Sequence, residues 1–159
     1  MKKHLLLGCI AAMTLFFNAF TFKSNNDFQN AFQDSLIEDR LKHVKEINQM
    51  IKGKEDMEAD SVYKNLLYIG GFKASILPLV MNKWSIALGV TCGHCHENGK
   101  WESDIKPEKL IARKMAKMSS VINDYLKTIK EIQNPHAVIN CASCHRGHLK
   151  PALDVSAVN

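Results

Sequence analysis

The chain has 159 residues, of which 46% are hydrophobic, and a formal net charge of +5. Three of its 21 lysines and arginines precede Ser24, which leaves 18 basic residues against 16 acidic ones in the rest of the chain. This near balance gives no support to a nucleic-acid-binding protein. The roughly 135 residues after that point are enough for one domain.

Residues 1–23 have the layout of a secretory signal. A short basic start precedes a mostly apolar run from Leu5 to Phe22, and polar residues follow Lys23. The nearest approximation to an Ala-x-Ala cleavage site is Ala19-Phe20-Thr21, so a cleaved signal and an uncleaved membrane anchor both fit the pattern. We therefore expect a periplasmic or other extracytoplasmic protein, with membrane association through the N-terminus if that segment is retained.

Residues 24–60 are predicted to form an amphipathic helix followed by a polar linker. Apolar residues recur every three to five positions from Phe28 to Lys52, and Gly53 ends the pattern. The next segment, Val62 to Ile69, is interpreted as extended or turn structure because Gly70-Gly71 follows it at once.

Two further helices are predicted, and each precedes a Cys-x-x-Cys-His motif. The first runs from about Ala74 to Leu88, with Pro78 in its first turns and Gly89 at its end. The second runs from Pro107, a favoured first residue of a helix, to about Gln133, where Asn134-Pro135 breaks it. Because alternating β-branched residues are nearly absent, the sequence predicts an all-α fold with little or no sheet.

The two motifs are Cys92-Gly93-His94-Cys95-His96 and Cys141-Ala142-Ser143-Cys144-His145. Cys-x-x-Cys-His is the attachment signature of a c-type haem. Two thiols at this spacing can add to the two vinyl groups of one porphyrin, and the following imidazole then points at the iron. The sequence therefore predicts two covalently attached haems c, with thioether bonds from Cys92, Cys95, Cys141 and Cys144 and iron ligands from His96 and His145.

The sixth ligand of each iron decides between electron transfer and reactive chemistry. Met81 lies on the helix before the first motif, and Met115 and Met118 lie on the helix before the second. Methionine on an apolar helix face is usually core packing, and spacing alone does not choose between the last two, which share a face. His43 and His136 are alternative ligands that we otherwise expect on the solvated surface. The free ring N–H of each motif histidine is expected to donate to a carbonyl or a carboxylate.

Several segments resemble one known family, the cytochrome c subunit of photosynthetic reaction centres. The resemblance covers about Tyr63 to Pro151. It rests on Tyr63-Lys64-Asn65-Leu66 with Gly70, Leu88-Gly89-Val90-Thr91 before the first motif, Ala112-Arg113-Lys114-Met115-Ala116-Lys117-Met118 with Ile122-Asn123, and Cys144-His145-Arg146-Gly147 with Pro151.

In that family each Met-ligated haem takes its sixth ligand from the preceding helix. The resemblance therefore implies Met81 as the ligand of the first iron. It implies Met115, the first of the paired methionines, as the ligand of the second, with Met118 as the runner-up. The chain departs from the family by carrying one pair of motifs, where the full subunit carries two pairs.

These features predict an electron carrier, not an enzyme, that passes single electrons between membrane-bound or soluble redox proteins. One alternative is a dihaem peroxidase, which would need one open haem with a polar distal pocket. Another is a four-cysteine zinc or disulfide protein, which leaves the histidine after each cysteine pair unexplained. The predicted organisation is a signal or anchor at 1–23, a helix and linker at 24–60, a dihaem cytochrome c domain at 61–151 and a tail at 152–159.

Overall fold

The computed structural model describes residues 25–153, and helices account for all the regular structure in that range. The β-structure in that range consists of two isolated bridges, Glu58–Lys73 and Glu97–Lys100. The all-α prediction is therefore confirmed. The elements in chain order are α1 Asn25–Met50, α2 Ala59–Val62, α3 Ile76–Leu88, a 3-10 helix at Cys92–His94, α4 Pro107–Leu126 and α5 Cys141–His145.

The chain separates into two compact units, residues 1–34 and residues 35–159. The second unit contains both Cys-x-x-Cys-His motifs and the helices α2 to α5. The predicted signal or anchor at 1–23 lies outside the described residues, as does the end of the tail from Asp154. In the part of the chain that the structure describes, no helix combines the length and the apolar character needed to cross a membrane.

The chain between α1 and α3 follows the predicted pattern except for the short helix α2, which lies where the end of a linker and the start of an extended segment were predicted. Helix α1 ends at Met50, two residues before the predicted end, and Gly53 adopts a positive φ of 81° in the turn after it. After α2 the backbone is irregular as far as Ile69, as predicted. The hydroxyl of Tyr63 donates to the carbonyl of Ala74 at 2.9 Å, which ties this segment to the start of the next helix.

Helix α3 begins and ends at residues that suit their positions. Pro78 is its third residue and is fully buried, so its missing N–H falls where no helical partner exists. Gly89 caps the C-terminus in the left-handed conformation, with φ 65° and ψ 37°, and its N–H donates to the carbonyl of Ile86 at 3.1 Å. The predicted closure by Gly89 is confirmed, and the helix starts two residues later than predicted.

Helix α4 is shorter than predicted. It begins at Pro107 as expected but ends at Leu126 instead of about Gln133. Beyond that point the chain forms single tight turns, and Thr128 donates through both its N–H and its hydroxyl to the carbonyl of Tyr125. A β-branched threonine that bonds back to a nearby carbonyl competes with the helical ladder, which explains why the apolar periodicity outlasts the helix.

Helix α3 packs against α5, so the two motif regions share a backbone junction. The N–H of Gly147 donates to the carbonyl of Ala87 at 2.8 Å. A Cβ atom on Gly89 would collide with the carbonyl oxygen of Gly147. The junction therefore requires glycine at position 89 for its conformation and for the close approach.

Few of the described side chains of the second unit, residues 35–159, are buried, and they include both apolar and charged residues. The buried apolar residues are Leu36, Ile51, Ala59, Ala74, Leu77, Pro78 and Ala87, and the buried polar ones are Arg40, His43, Ser85, Lys109 and Arg113. Several large apolar side chains of α4 are instead about half exposed, namely Leu110, Ile111, Met115, Met118 and Val121. Large apolar side chains exposed on one helix in this way are available to pack against a ligand or a partner.

Candidate functional site

The first motif is held from two sides. Cys92 is the first residue of the 3-10 helix, and its N–H donates to the carboxylate of Asp39 on α1 at 2.8 Å. The guanidinium of Arg40 donates to the carbonyl of Val90 at 3.4 Å. The ammonium of Lys106 donates to the carbonyl of Gly93 from the other side. Helix α1 therefore fixes the chain that enters the first motif.

One cavity of about 410 Å³ gathers the residues predicted for the first haem. Both thiols of the motif, Cys92 and Cys95, line it together with His96 and with Met81 from α3. Its volume falls in the range of cofactor sites, which are apolar clefts with a few placed polar groups. Its apolar walls include Val44, Ile47, Leu66, Leu77, Trp84 and Leu88.

The imidazole of His96 is oriented by the backbone. Its Nδ1–H donates to the carbonyl of Trp101 at 3.1 Å, which leaves Nε2 as the free ring nitrogen. The indole of Trp101 packs edge-on against the imidazole, with ring centroids 5.6 Å apart. Burial lowers the pKa of His96, so the neutral imidazole that a metal requires is favoured. The predicted bond to a carbonyl is confirmed for this histidine.

Two buried cations of α4 stand in the wall of the same cavity. Lys109 and Arg113 both lie within 3.1 Å of the carboxylate of Asp104, and Arg113 also donates to the carbonyl of Asn65 at 2.6 Å. The side chains of Asn65, Lys109 and Arg113 hold the pKa of Asp104 down to about 2. Sequence reasoning missed this group, because a lysine and an arginine four residues apart on a helix are usually a solvated pair.

His43 is buried, and the expectation that it lies on the solvated surface is wrong. Its side chain is 5% exposed, and it also lines the cavity. Its Nδ1–H donates to Glu46 at 2.8 Å, its Nε2 lies 3.5 Å from Asp39, and its ring meets Trp101 edge-on at 5.1 Å. Both ring nitrogens thus face carboxylates, which argues against His43 as an iron ligand. His136 is exposed, as expected.

The second motif forms a short helix, α5, that caps itself. The side-chain oxygen of Asn140 accepts from the N–H groups of Ala142 and Ser143, and the hydroxyl of Ser143 accepts from the N–H of Asn140. This reciprocal pair is a capping box. Arg146 and Gly147 come next in left-handed conformations, with φ 49° and 87°. The backbone therefore turns sharply away after His145.

The imidazole of His145 is oriented in the same way as that of His96. Its Nδ1–H donates to the carbonyl of His148 at 3.0 Å, which leaves Nε2 free. His148 is exposed, and its carbonyl belongs to the turn that closes the motif. The predicted bond to a carbonyl is thus confirmed for the second histidine as well.

Helix α4 grips the chain that enters the second motif. The side chain of Asn123 donates to the carbonyl of Ile139 at 2.8 Å and accepts from its N–H at 2.7 Å. The hydroxyl of Ser119 donates to the same carbonyl at 3.0 Å. This clamp, formed by Ser119 and Asn123, joins α4 to Ile139, two residues before the second motif.

Among the described residues, no disulfide joins any two of the four motif cysteines, Cys92, Cys95, Cys141 and Cys144. Burial, with Asp39 nearby, raises the pKa of Cys92 to about 11, and burial also raises that of Cys95 and Cys141. Across residues 25–153, no group of three or more His, Cys, Asp or Glu side chains is placed to hold a metal ion by itself.

The first site fits a covalently held haem, because thiols, an oriented imidazole and a thioether line one apolar cavity. This donor set is that of a c-type cytochrome, a class of electron-transfer protein. The chain belongs to the family described as the photosynthetic reaction centre cytochrome C subunit, whose profile matches residues 23–155. Membership in this family implies covalently bound haem c.

One relative extends this comparison. Over 78 residues the chain is 32% identical to cytochrome c-554 of Chloroflexus aurantiacus (strain ATCC 29366 / DSM 635 / J-10-fl). The match covers 48% of this chain and 18% of that protein, so the chain corresponds to only a small part of its relative. The family match is longer than the resemblance over about Tyr63–Pro151 that the motifs predict, because it includes α1.

Proposed function

We propose that this chain is a dihaem c-type cytochrome that passes single electrons between redox proteins outside the cytoplasm. The observation that carries the proposal is the cavity in which Met81, Cys92, Cys95 and His96 come together. A bound haem supplies one-electron redox chemistry, and the protein supplies axial ligands, burial and orientation.

For the first haem, the chain offers ligands from two elements. Cys92 and Cys95 would hold the porphyrin, and Nε2 of His96 would ligate the iron while its Nδ1–H stays on the Trp101 carbonyl. Met81 on α3 would supply the second protein ligand to the iron. A thioether ligand favours reduced iron, and two protein ligands leave no open position for a substrate.

For the second haem, Cys141, Cys144 and His145 are the attachment residues. We favour Met115 as the sixth ligand because it lies on α4 in one row with Ser119 and Asn123. Residues four apart share a helix face, and Met115 continues the stripe of Ser119 and Asn123, whose side chains grip Ile139 beside the motif. Met118 shares the same face, three positions after Met115, but is not part of the row formed by Met115, Ser119 and Asn123.

The backbone junction between the motif regions supports one electron-carrying unit. Helix α3 carries Met81 and ends at Gly89, and its Ala87 carbonyl accepts from Gly147 two residues after His145. The supports of the first and second haems are therefore hydrogen-bonded to each other. A fixed distance between haems suits transfer between them.

The partners we propose are membrane-bound or soluble redox proteins. The family description names a subunit of a photosynthetic reaction centre, which is a membrane complex. The signal-like residues 1–23 fit an extracytoplasmic location, where cysteine–haem thioethers are formed, and an uncleaved N-terminus would add membrane association.

The number of haems is the direct test. A pyridine haemochrome assay with intact-mass measurement of the purified holo-protein should give two haems per chain. The double variant Cys141→Ala/Cys144→Ala should give one, while Cys9→Ala, outside both motifs, should leave the count at two. One haem in the wild-type protein would contradict the dihaem proposal, and none would favour a zinc or disulfide protein.

Resting coordination separates the carrier from a peroxidase. A carrier with two closed irons should be low-spin when oxidised and should turn over peroxide slowly. High-spin iron at rest together with rapid peroxide turnover would contradict the proposal and favour the enzyme.

A further inference from the structure

The carbonyl that orients His96 is shared with a buried lysine. Trp101 O accepts from Nδ1 of His96 at 3.1 Å and from Nζ of Lys109 at 2.9 Å. The same ammonium donates to the carbonyl of Ser103 at 2.9 Å and lies 3.1 Å from the carboxylate of Asp104. An ammonium has three donors, and here each has an acceptor.

The position of this ammonium is therefore fixed close to the first haem site. Lys109 is only 7% exposed, so solvent screens its charge weakly. It belongs to the wall of the cavity that His96 and Met81 also line. No lysine donates to the carbonyl of His148 among the hydrogen bonds of residues 25–153, so the second motif histidine lacks this partner.

On the basis of the proposed function, we propose that Lys109 is a positioning residue that raises the reduction potential of the first haem through the Trp101 carbonyl. A hydrogen-bond partner on the outer nitrogen of a ligating histidine raises the basicity of the ligand. A carbonyl already engaged by an ammonium is a weaker acceptor for the imidazole N–H. His96 then donates less electron density to the iron, and the reduced state is favoured.

The charge of Lys109 acts in the same direction, because a nearby cation stabilises the iron state with the lower positive charge. The neighbouring Arg113 separates the two contributions. It is buried to the same degree and also pairs with Asp104, but it donates to the carbonyl of Asn65 and not to that of Trp101. Its removal deletes a cation and leaves the histidine's carbonyl untouched.

The test is a redox titration of the holo-protein with Lys109→Met, Lys109→Arg and Arg113→Met variants. The wave of the first haem is the one that moves in Met81→Ala. In Lys109→Met we expect its Fe(III)/Fe(II) equilibrium to shift about tenfold toward Fe(III), a fall of about 59 mV for one electron. The wave of the second haem should stay in place, and Lys109→Arg should retain most of the wild-type potential.

The NMR signal of the His96 Nδ1–H should move in Lys109→Met and stay in place in Arg113→Met. The inference is overturned if the wave of the first haem does not shift in Lys109→Met. It is also overturned if Arg113→Met gives the same shift and the His96 NMR signal moves in neither variant. If Lys109→Met does not fold, Lys109→Leu, which also removes both the charge and the N–H donors, takes its place in the same comparison. If the wild-type protein holds two haems and the potential of the first haem is the same in the Lys109 variant, only this inference is overturned. If the wild-type protein holds fewer than two haems, the proposed function is overturned.

Discussion

The two Cys-x-x-Cys-His motifs share a sequence pattern and a bond from Nδ1 of the histidine to a backbone carbonyl, but they are supported differently. The first motif depends on distant residues: Asp39 on α1 caps it, and the Trp101 carbonyl that orients His96 also accepts from Lys109. The second motif caps itself through Asn140, and its histidine bonds to the next turn. Identical attachment chemistry is thus placed in two different electrostatic surroundings.

This contrast suggests a division between the two sites. The first lies in a cavity with buried cations in its wall, whereas residues 141–145 of the second are exposed or only partly buried. Because burial and the hydrogen-bond partners of the iron ligands tune a haem's potential, two haems held as proposed are expected to differ in potential even with the same types of ligand. Substitutions at each site test this contrast.

The largest effect is expected at the junction that joins the two motif regions. Gly89→Ala forces a left-handed alanine and drives its Cβ into the carbonyl of Gly147, which should cost about 2–4 kcal/mol of unfolding free energy. The matched control is Gly53→Ala, where φ is also positive, at 81°, but nothing lies within 4 Å, so about 1 kcal/mol is expected. Denaturant unfolding of both variants measures the difference, and equal losses would show that the junction is not tightly packed.

The next effect should be confined to the second motif. Asn123→Ala removes both hydrogen bonds to Ile139, which should cost about 1–3 kcal/mol and loosen the second haem site alone. Ser119→Ala removes one bond to a carbonyl that Asn123 still engages, so a loss of about 0.5–1 kcal/mol is expected. Chemical unfolding with haem absorbance as the probe compares them, and a larger loss in the serine variant would argue against the clamp.

The caps offer a paired test of local against distant support. Asp39→Ala and Asn140→Ala should each cost about 1 kcal/mol, since each removes a carboxylate or amide oxygen from a helix N-terminus. Amide hydrogen exchange should quicken at Cys92 in the first variant and at Ala142 and Ser143 in the second. Faster exchange at both motifs in either variant would contradict the local action of each cap.

The smallest effect concerns acid. The pKa of Asp104 falls from 3.8 to about 2 in the folded protein, so its ionised form contributes stability that is present above pH 3.8 and is lost as the pH falls toward 2. Asp104→Asn should therefore flatten the decline of Tm across that window, by a modest amount because the side chain is half exposed. An unchanged pH profile in the variant would contradict the role of this carboxylate.

Apolar periodicity, helix-end residues and motif spacing predicted the features that depend on residues close together in the chain. The apolar periodicity placed α1, α3 and α4, Pro107 correctly marked the start of α4, and Gly89 correctly marked the end of α3. The motif spacing, with Met81 on the preceding helix, named four residues that line one cavity.

What the sequence did not predict depends on partners that are distant along the chain. Asp39 reaches Cys92 across 53 positions, and His43 is buried only because Trp101 and two carboxylates surround it. Nothing in the local pattern around Lys109 shows that its ammonium meets the Trp101 carbonyl. The early end of α4 depends on a hydroxyl bond at Thr128, which a periodicity of apolar residues does not detect.

The proposal that methionine closes both irons is tested most directly by the Met–iron charge-transfer band of the oxidised holo-protein, measured per chain. Two methionine-ligated irons predict that Met81→Ala and Met115→Ala each remove about half of the band, while Met118→Ala, on the same helix, leaves it intact. A band that survives Met81→Ala unchanged would contradict the assignment of the first iron. Loss of half the band in Met118→Ala instead of Met115→Ala would contradict that of the second.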